Sequence, residues 1–336
     1  MHMADALLSP AVGGVMTAVS AIGIGYGVKK IAGNTFDEKK IPMMGVMGAF
    51  VFAGQMINFT IPGTGSSGHI GGGILLAALL GPYPALLTLA SVLLIQCLFF
   101  ADGGLLAYGC NVFNMGISAC FFAYHLIFKP IVTKGMDNKH ITIASIAAAI
   151  IGLQIGAFCV VLETLLSGVT ELPFGAFVLL MQPIHLAIGL VEGIVTAAVL
   201  CYVHRVRPEL LDSTVENTKL PVGVPMKNIL ISFLVLTVIV GGVLSLFASA
   251  YPDGLEWSME GVAGTTELER EGPVYEAVNS VVETTAFMPD YGFAGDEEGA
   301  PLGTAAAGII GSSITILIAG GVGFVIHAVR RRNAVA

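Results

Sequence analysis

The residues that invite chemistry are Met1 and His2 at the start of the chain and, much later, His69. A free α-amine at Met1, the amide nitrogen of residue 2 and one imidazole nitrogen of His2 can close two fused chelate rings around one metal ion. His69 stands in the run Pro62-Gly63-Thr64-Gly65-Ser66-Ser67-Gly68-His69-Ile70-Gly71-Gly72-Gly73, where glycines permit close backbone approach, and it can add a fourth nitrogen. Four nitrogens in a plane suit Ni(II) or Cu(II), and Co(II) is accommodated. The metal reading requires Met1 to be retained, which a bulky residue at position 2 favours. The bland alternative makes His2 a frayed terminus and His69 a loop residue, and spacing alone leaves both open.

The elements that must position these residues are membrane-spanning helices. The chain has 336 residues, of which 55% are hydrophobic and 11% charged, with mean hydropathy +0.85. A soluble domain carries about 25% charged residues, so the fold class expected is an all-α polytopic membrane protein. Apolar segments occupy residues 11–28, 41–59, 70–80, 85–100, 105–128, 141–166, 174–203, 229–248 and 304–329. The third is too short to span and stops at Gly81-Pro82-Tyr83-Pro84, which predicts a broken or re-entrant helix lining a protein cavity. Residues 1–10 lack the basic region of a cleavable signal peptide.

Orientation follows from the basic residues. All of the 15 Lys and Arg except Arg270 fall in segments that alternate spans place on one side, and such segments are cytoplasmic. The amino terminus and the His69 loop then share the extracytoplasmic side, and the carboxyl terminus is cytoplasmic. Residues 208–227 read as a polar cytoplasmic linker, dividing a metal-binding region, 1–207, from a two-helix module, 228–336. The outer segment of that module, residues 251–301, holds twelve of the 23 acidic residues and can raise local cation concentration.

Other polar residues are candidates for support. Gln55 and Asn58 precede the glycine loop and can orient ligand imidazoles, as can Ser67 within it. Asn111 and Asn114 can line the same cavity. Glu163, His185 and Glu192 lie inside apolar spans, where ionisable groups are costly and face the interior; His185 and Glu192 are two helical turns apart and share a face. Gly65-Ser66-Ser67-Gly68 also matches the G-x-S-G pattern of intramembrane serine proteases, with Ser67 as nucleophile and His185 as base. The five cysteines sit in apolar runs without a C-x-x-C pair and read as core residues. Neither HExxH nor a phosphate-binding G-x-x-x-x-G-K-[ST] is present, so ATP hydrolysis by the usual machinery is not expected of this chain.

Three stretches together resemble a known family. Met1-His2 followed by Leu8-Ser9-Pro10, the loop from Gly65 to Gly72, and His185-Leu186-Ala187-Ile188-Gly189-Leu190-Val191-Glu192-Gly193 resemble the CbiM/NikM substrate-binding (S) components of energy-coupling factor transporters for cobalt and nickel. Pro252-Asp253-Gly254-Leu255-Glu256 and Pro289-Asp290-Tyr291-Gly292 resemble the small CbiN/NikN component, the PDGLE domain, so the whole looks like a fused NikMN-type polypeptide. The resemblance implies a bundle of about seven helices plus a two-helix module with an acidic extracytoplasmic loop. It implies Ni2+ or Co2+ as cargo, held by the Met1 amine, the His2 amide and imidazole, and His69. It also implies two partners, a transmembrane coupling protein of CbiQ/NikQ type and a cytoplasmic ATPase of CbiO/NikO type. The expected function is therefore metal capture for an ATP-driven nickel importer, with cobalt import for cobalamin synthesis as the alternative and a serine hydrolase as a remoter one. Met3-Ala4-Asp5-Ala6-Leu7 departs from the family's Ile-Pro-Asp-Gly-Phe, removing a stiffening proline.

Overall fold

The computed structural model describes residues 1–33, 37–295 and 300–335. The acidic residues Asp296, Glu297 and Glu298 lie outside the described residues. Among the described residues, seven helices are long and apolar enough to cross a membrane.

Helix α1 (Pro10–Ile31) begins where Ser9 accepts a hydrogen bond from the Val12 amide and Pro10 occupies the first turn, where its missing N–H costs nothing. Helices α2 (Ile41–Gln55), α3 (Gly73–Leu80) and α4 (Pro82–Phe100) follow. The short third segment is confirmed as a broken helix: Gly81, at φ +97°, turns the chain between α3 and α4, a conformation that glycine adopts without a Cβ penalty. Helix α5 (Tyr108–Val132) is wound as a π-helix over Val112–Phe128. Helices α6 (Asn138–Ser167) and α7 (Phe174–Val206) form a long hairpin. Gly189 and Gly193 let α7 approach the backbone of Ile150 and Ile146, the small-residue contact typical of lipid-embedded helices. Gln154 and Gln182 exchange side-chain to backbone hydrogen bonds across the pair.

The segment read as a polar linker starts with a helix, α8 (Pro208–Val215), whose Leu210 and Leu211 are fully buried. Beyond it, α9 (Met226–Gly242) and α12 (Pro301–Val335) pack together where Gly241 meets Gly308. Both lie against α2, with Gly45 close to the α12 backbone at Ile316 and Gly320.

Two features depart from a purely helical reading. Residues Phe59–Ile61 (β1) and Ser66–Gly68 (β2) form an antiparallel hairpin, pairing Phe59 with Gly68 and Ile61 with Ser66. The acidic segment also contains two helices, α10 (Gly254–Ala263) and α11 (Pro273–Thr285), so the module is more than two spans and a loop. Helix α10 is started by a capping box in which Asp253 accepts from the Leu255 and Glu256 amides and Glu256 accepts from the Asp253 amide. The hairpin, α10, α11 and the amino terminus gather on one face.

Candidate metal centre

The amino terminus is inserted into the bundle rather than frayed. Met1 is 8% exposed and Met3, Leu7 and Leu8 are fully buried. Asn111 clamps Met3 by accepting from its amide at 2.7 Å and donating to its carbonyl at 3.2 Å. The Gly104 amide donates to the same carbonyl at 2.9 Å. Asp5 accepts from the Ala107 amide at 2.9 Å, and burial raises its carboxyl above the usual carboxylate range. The Tyr275 hydroxyl of α11 donates to the Leu8 carbonyl at 2.7 Å. The order that a proline at position 4 would impose is thus supplied from outside the terminal segment, by Asn111 and the loop before α5.

The glycine loop is pinned from α7. Both oxygens of Glu192 accept backbone hydrogen bonds, from Gly71 and Gly72, at 2.9 Å each. Gly72 sits at φ +76° with Val51 where a Cβ would be, so glycine is required there. This fixes the turn that presents His69. Its Nδ1 donates to the Ile70 carbonyl at 3.1 Å, which leaves Nε2 to carry the lone pair.

The two histidines meet. The rings of His2 and His69 stack with centroids 5.3 Å apart and planes 17° from parallel. Burial, and then the positive terminal amine, pulls His2 down to about 3 and His69 to about 4, so both imidazoles are neutral. Two carboxylates hold the other donors. The Met1 amine is paired with Asp253, and His2 Nδ1 lies 3.2 Å from Asp102 Oδ1. Burial raises Asp102, which also accepts from the Tyr291 hydroxyl. Burial acts upward on Asp253 too, but the terminal ammonium outweighs it and holds that carboxyl well below the usual range. Only Nδ1 of His2 can close a second chelate ring, because Nε2 points away from the main chain. Among the described residues no group of three His, Cys, Asp or Glu surrounds a metal-sized position. Closing a nitrogen plane requires the amine to leave Asp253 and the His2 ring to turn off Asp102.

The remaining sequence candidates divide. His185 lines a cavity of about 30 Å³ with Met1, His69, Asp253 and Glu192; its Nδ1 donates to the Met181 carbonyl at 2.8 Å, and Nε2 is buried without a hydrogen bond. Gln55 acts at one remove, donating to the Gly71 carbonyl at 3.2 Å and accepting from Gln96 at 3.0 Å, while Gln96 stands beside the His2 ring. Asn114 donates to Glu163 at 2.7 Å. Asn58 does not reach either imidazole: its carbonyl accepts from the Ser249 amide and its side-chain oxygen is buried without a partner. Ser67 is engaged by the tail. Its hydroxyl donates to the Tyr251 carbonyl at 2.7 Å and its amide to the Pro252 carbonyl at 2.8 Å, and neither bond goes to an imidazole. With its proton committed to a carbonyl and His185 bonded to its own helix, no nucleophile and base pair forms.

Asp102, Asp253, Gln96, Tyr275 and Tyr291 escaped the sequence reading as site residues. Asp253 was visible as part of a recurrent motif, but nothing local to it points to a partner 252 positions earlier. The tail is latched beside it: Trp257 Nε1 donates to the Thr64 carbonyl at 3.0 Å, Thr60 to Ser249 at 2.9 Å, and Thr285 to the Leu98 carbonyl at 2.6 Å.

Comparison with known proteins gives concordant matches. Residues 2–210 match the model of the cobalt uptake substrate-specific transmembrane region, and residues 227–328 that of the PDGLE domain. A putative fused nickel transport protein NikMN of Archaeoglobus fulgidus is 34% identical over 95% of this chain and 96% of its own length. The fused nickel transport protein NikMN of Rhodobacter capsulatus is 30% identical over 63% of this chain and 64% of its own. The cobalt transport protein CbiM of Sorangium cellulosum is 34% identical, covering 51% and 76% respectively. A crystal structure of a transition metal transporter, 31% identical, superposes with a TM-score of 0.54 over 62% of this chain and 95% of its own.

Proposed function

The chain belongs to the cobalt uptake substrate-specific transmembrane family, with a PDGLE domain following it, and on that premise we propose that it captures nickel for an ATP-driven importer. It is a membrane subunit for metal transport and not an enzyme. The observation that carries the finer reading is the convergence of the Met1 amine and His2 with His69, 67 positions beyond His2 in sequence, at one half-buried place. Fused relatives named for nickel favour Ni2+ over Co2+.

In the proposed mechanism the ion is the cargo of a planar set: the Met1 amine, the His2 amide nitrogen, His2 Nδ1 and His69 Nε2. The amine gives up one proton and the amide another, while the neutral His2 ring moves its proton from Nδ1 to Nε2, so capture weakens as pH falls. Planarity penalises zinc, which prefers a tetrahedron. Copper binds such a set more tightly than nickel, so its exclusion rests on supply or on later steps. Asp253 and Asp102 hold the empty donors in register, and the acidic module concentrates cations over them. Energy comes from an ATPase of CbiO/NikO type through a coupling protein of CbiQ/NikQ type, with the terminus on the extracytoplasmic face.

The test is metal binding by the purified chain with an authentic amino terminus. Near-stoichiometric Ni(II) binding with a planar-nickel absorption band is expected, lost in His2→Ala, in His69→Ala and on inserting one residue before His2. Undiminished binding by these variants would overturn the site.

A further inference from the structure

The opposite, lysine-rich end of the bundle contains a larger cavity, about 270 Å³, that the metal reading does not use. Its walls come from the ends of α1, α5 and α8 and the start of α4, and they present Lys30, Lys40, Lys129 and His125 against one carboxylate, Asp37. Asp37 is already engaged by the Lys39 and Leu220 amides at 3.0 and 2.8 Å. Lys40 is 5% exposed, and its ammonium has only the Thr214 hydroxyl, at 2.7 Å, as hydrogen-bond partner among the described residues. Burial drives Lys40 down to about 8. A buried ammonium whose one nearby carboxylate, Asp37, is shared with two backbone amides is costly, and a basic, roomy cavity is where an anion relieves that cost.

The surroundings decide which anion. Above Lys30 on α1, Ile22 and Tyr26 are 73% and 48% exposed at successive four-residue steps; before Lys129 on α5, Phe122 and Leu126 are 41% and 66% exposed. Tyr83 sits between the two helices, touching Tyr26 of α1 at 5.7 Å and Phe121 of α5 at 5.6 Å between ring centroids. The Lys30 ammonium lies 5.2 Å from the Tyr26 ring and 5.9 Å from that of Tyr83. Two apolar stripes that each run down to a lysine, with an aromatic rim between them, have the amphipathic layout of a phospholipid. We propose that this cavity binds the phosphate headgroup of one anionic lipid, with Lys30, Lys40 and Lys129 holding the phosphate and the acyl chains lying along α1 and α5. Basic pockets between transmembrane helices recognise headgroups in this way. The assignment is independent of the metal site.

The test uses the full chain purified in detergent, titrated with phosphatidylglycerol or phosphatidylcholine and read by native mass spectrometry and thermal unfolding. One phosphatidylglycerol is expected to be retained at least tenfold more persistently than phosphatidylcholine and to raise the unfolding midpoint further. Lys129→Ala, at a half-buried position, and Lys40→Met are each expected to reduce that preference at least fivefold. Lys139→Ala, at an exposed position away from the cavity, is expected to keep it. Equal retention of the two lipids, or unchanged preference in Lys129→Ala, overturns the proposal. So does full stabilisation by inorganic phosphate alone, which would assign the cavity to a free ion. Lysine variants that keep the lipid but lose the coupling protein would assign these lysines to an acidic surface of that partner and likewise overturn it.

Discussion

Replacing Asp253 by Asn isolates what the PDGLE module does to the metal centre. The carboxylate pairs with the Met1 amine where the side chains are only 16% and 8% exposed, so solvent screens the pair weakly. A hydrogen bond to a charged group contributes about 1.5–3 kcal/mol, and this one exists only while the amine is protonated and free of metal. Any ion that takes the amine must displace it. Asparagine preserves the helix start, since Asn and Asp cap equally well, and keeps the side-chain volume while removing the charge. Equilibrium affinity for Ni(II) should therefore tighten by about 10- to 100-fold, one factor of ten for each 1.4 kcal/mol. Competition against a chelator of known affinity at fixed pH, on protein with an authentic amino terminus, measures this. An unchanged or weakened affinity in a folded variant would refute the reasoning and show that Asp253 assists the bound state. Stopped-flow mixing adds a second reading: loss of the charge at the entrance should slow capture, most at low ionic strength.

Two further outcomes follow from the same geometry. Glu192→Gln leaves one oxygen to accept from two amides, Gly71 and Gly72; the loosened turn should weaken Ni(II) binding about tenfold while His2→Ala abolishes it, and equal affinity to the parent would remove Glu192 from the positioning of His69. Seating of the terminus should depend on pH. The opened imidazoles titrate near 6.5, whereas burial holds His2 to about 3 and His69 to about 4. The opened form therefore binds more protons between these values, and stability rises with pH across the window. Amide-exchange protection of residues 3–8, corrected for intrinsic rates, should be full above about pH 6.5 and fall toward pH 4, with a flatter profile in His2→Gln. Protection that grows on acidification would contradict neutral burial of the rings.

The arrangement gives the tail a structural reason to be fused to the rest. Ser67 and Trp257 tie the hairpin to the start of α10, and Tyr275 holds Leu8. Every element that carries a proposed ligand nitrogen is touched by the module. Asp253, which caps α10, serves at the same time as the counter-ion of the amino terminus.

The sequence by itself determined the long helices, because an apolar run long enough to cross a bilayer must satisfy its own backbone hydrogen bonds as a helix. It also determined the break at Gly81 and the pairing of interest between His2 and His69, since a chelating terminus and a glycine-framed histidine are local signals. What only the tertiary structure decided is which groups hold the Met1 amine and the His2 ring. Asp102 and Asp253 are ordinary loop carboxylates in one dimension; burial against an amine and an imidazole distant in sequence gives them their roles. Ser67 shows the converse, a residue whose local pattern suggested catalysis and whose partners turned out to be carbonyls of the tail. Local pattern fixes backbone conformation and the chemistry a side chain can do, but burial and charge pairing belong to contacts that the chain makes only when folded.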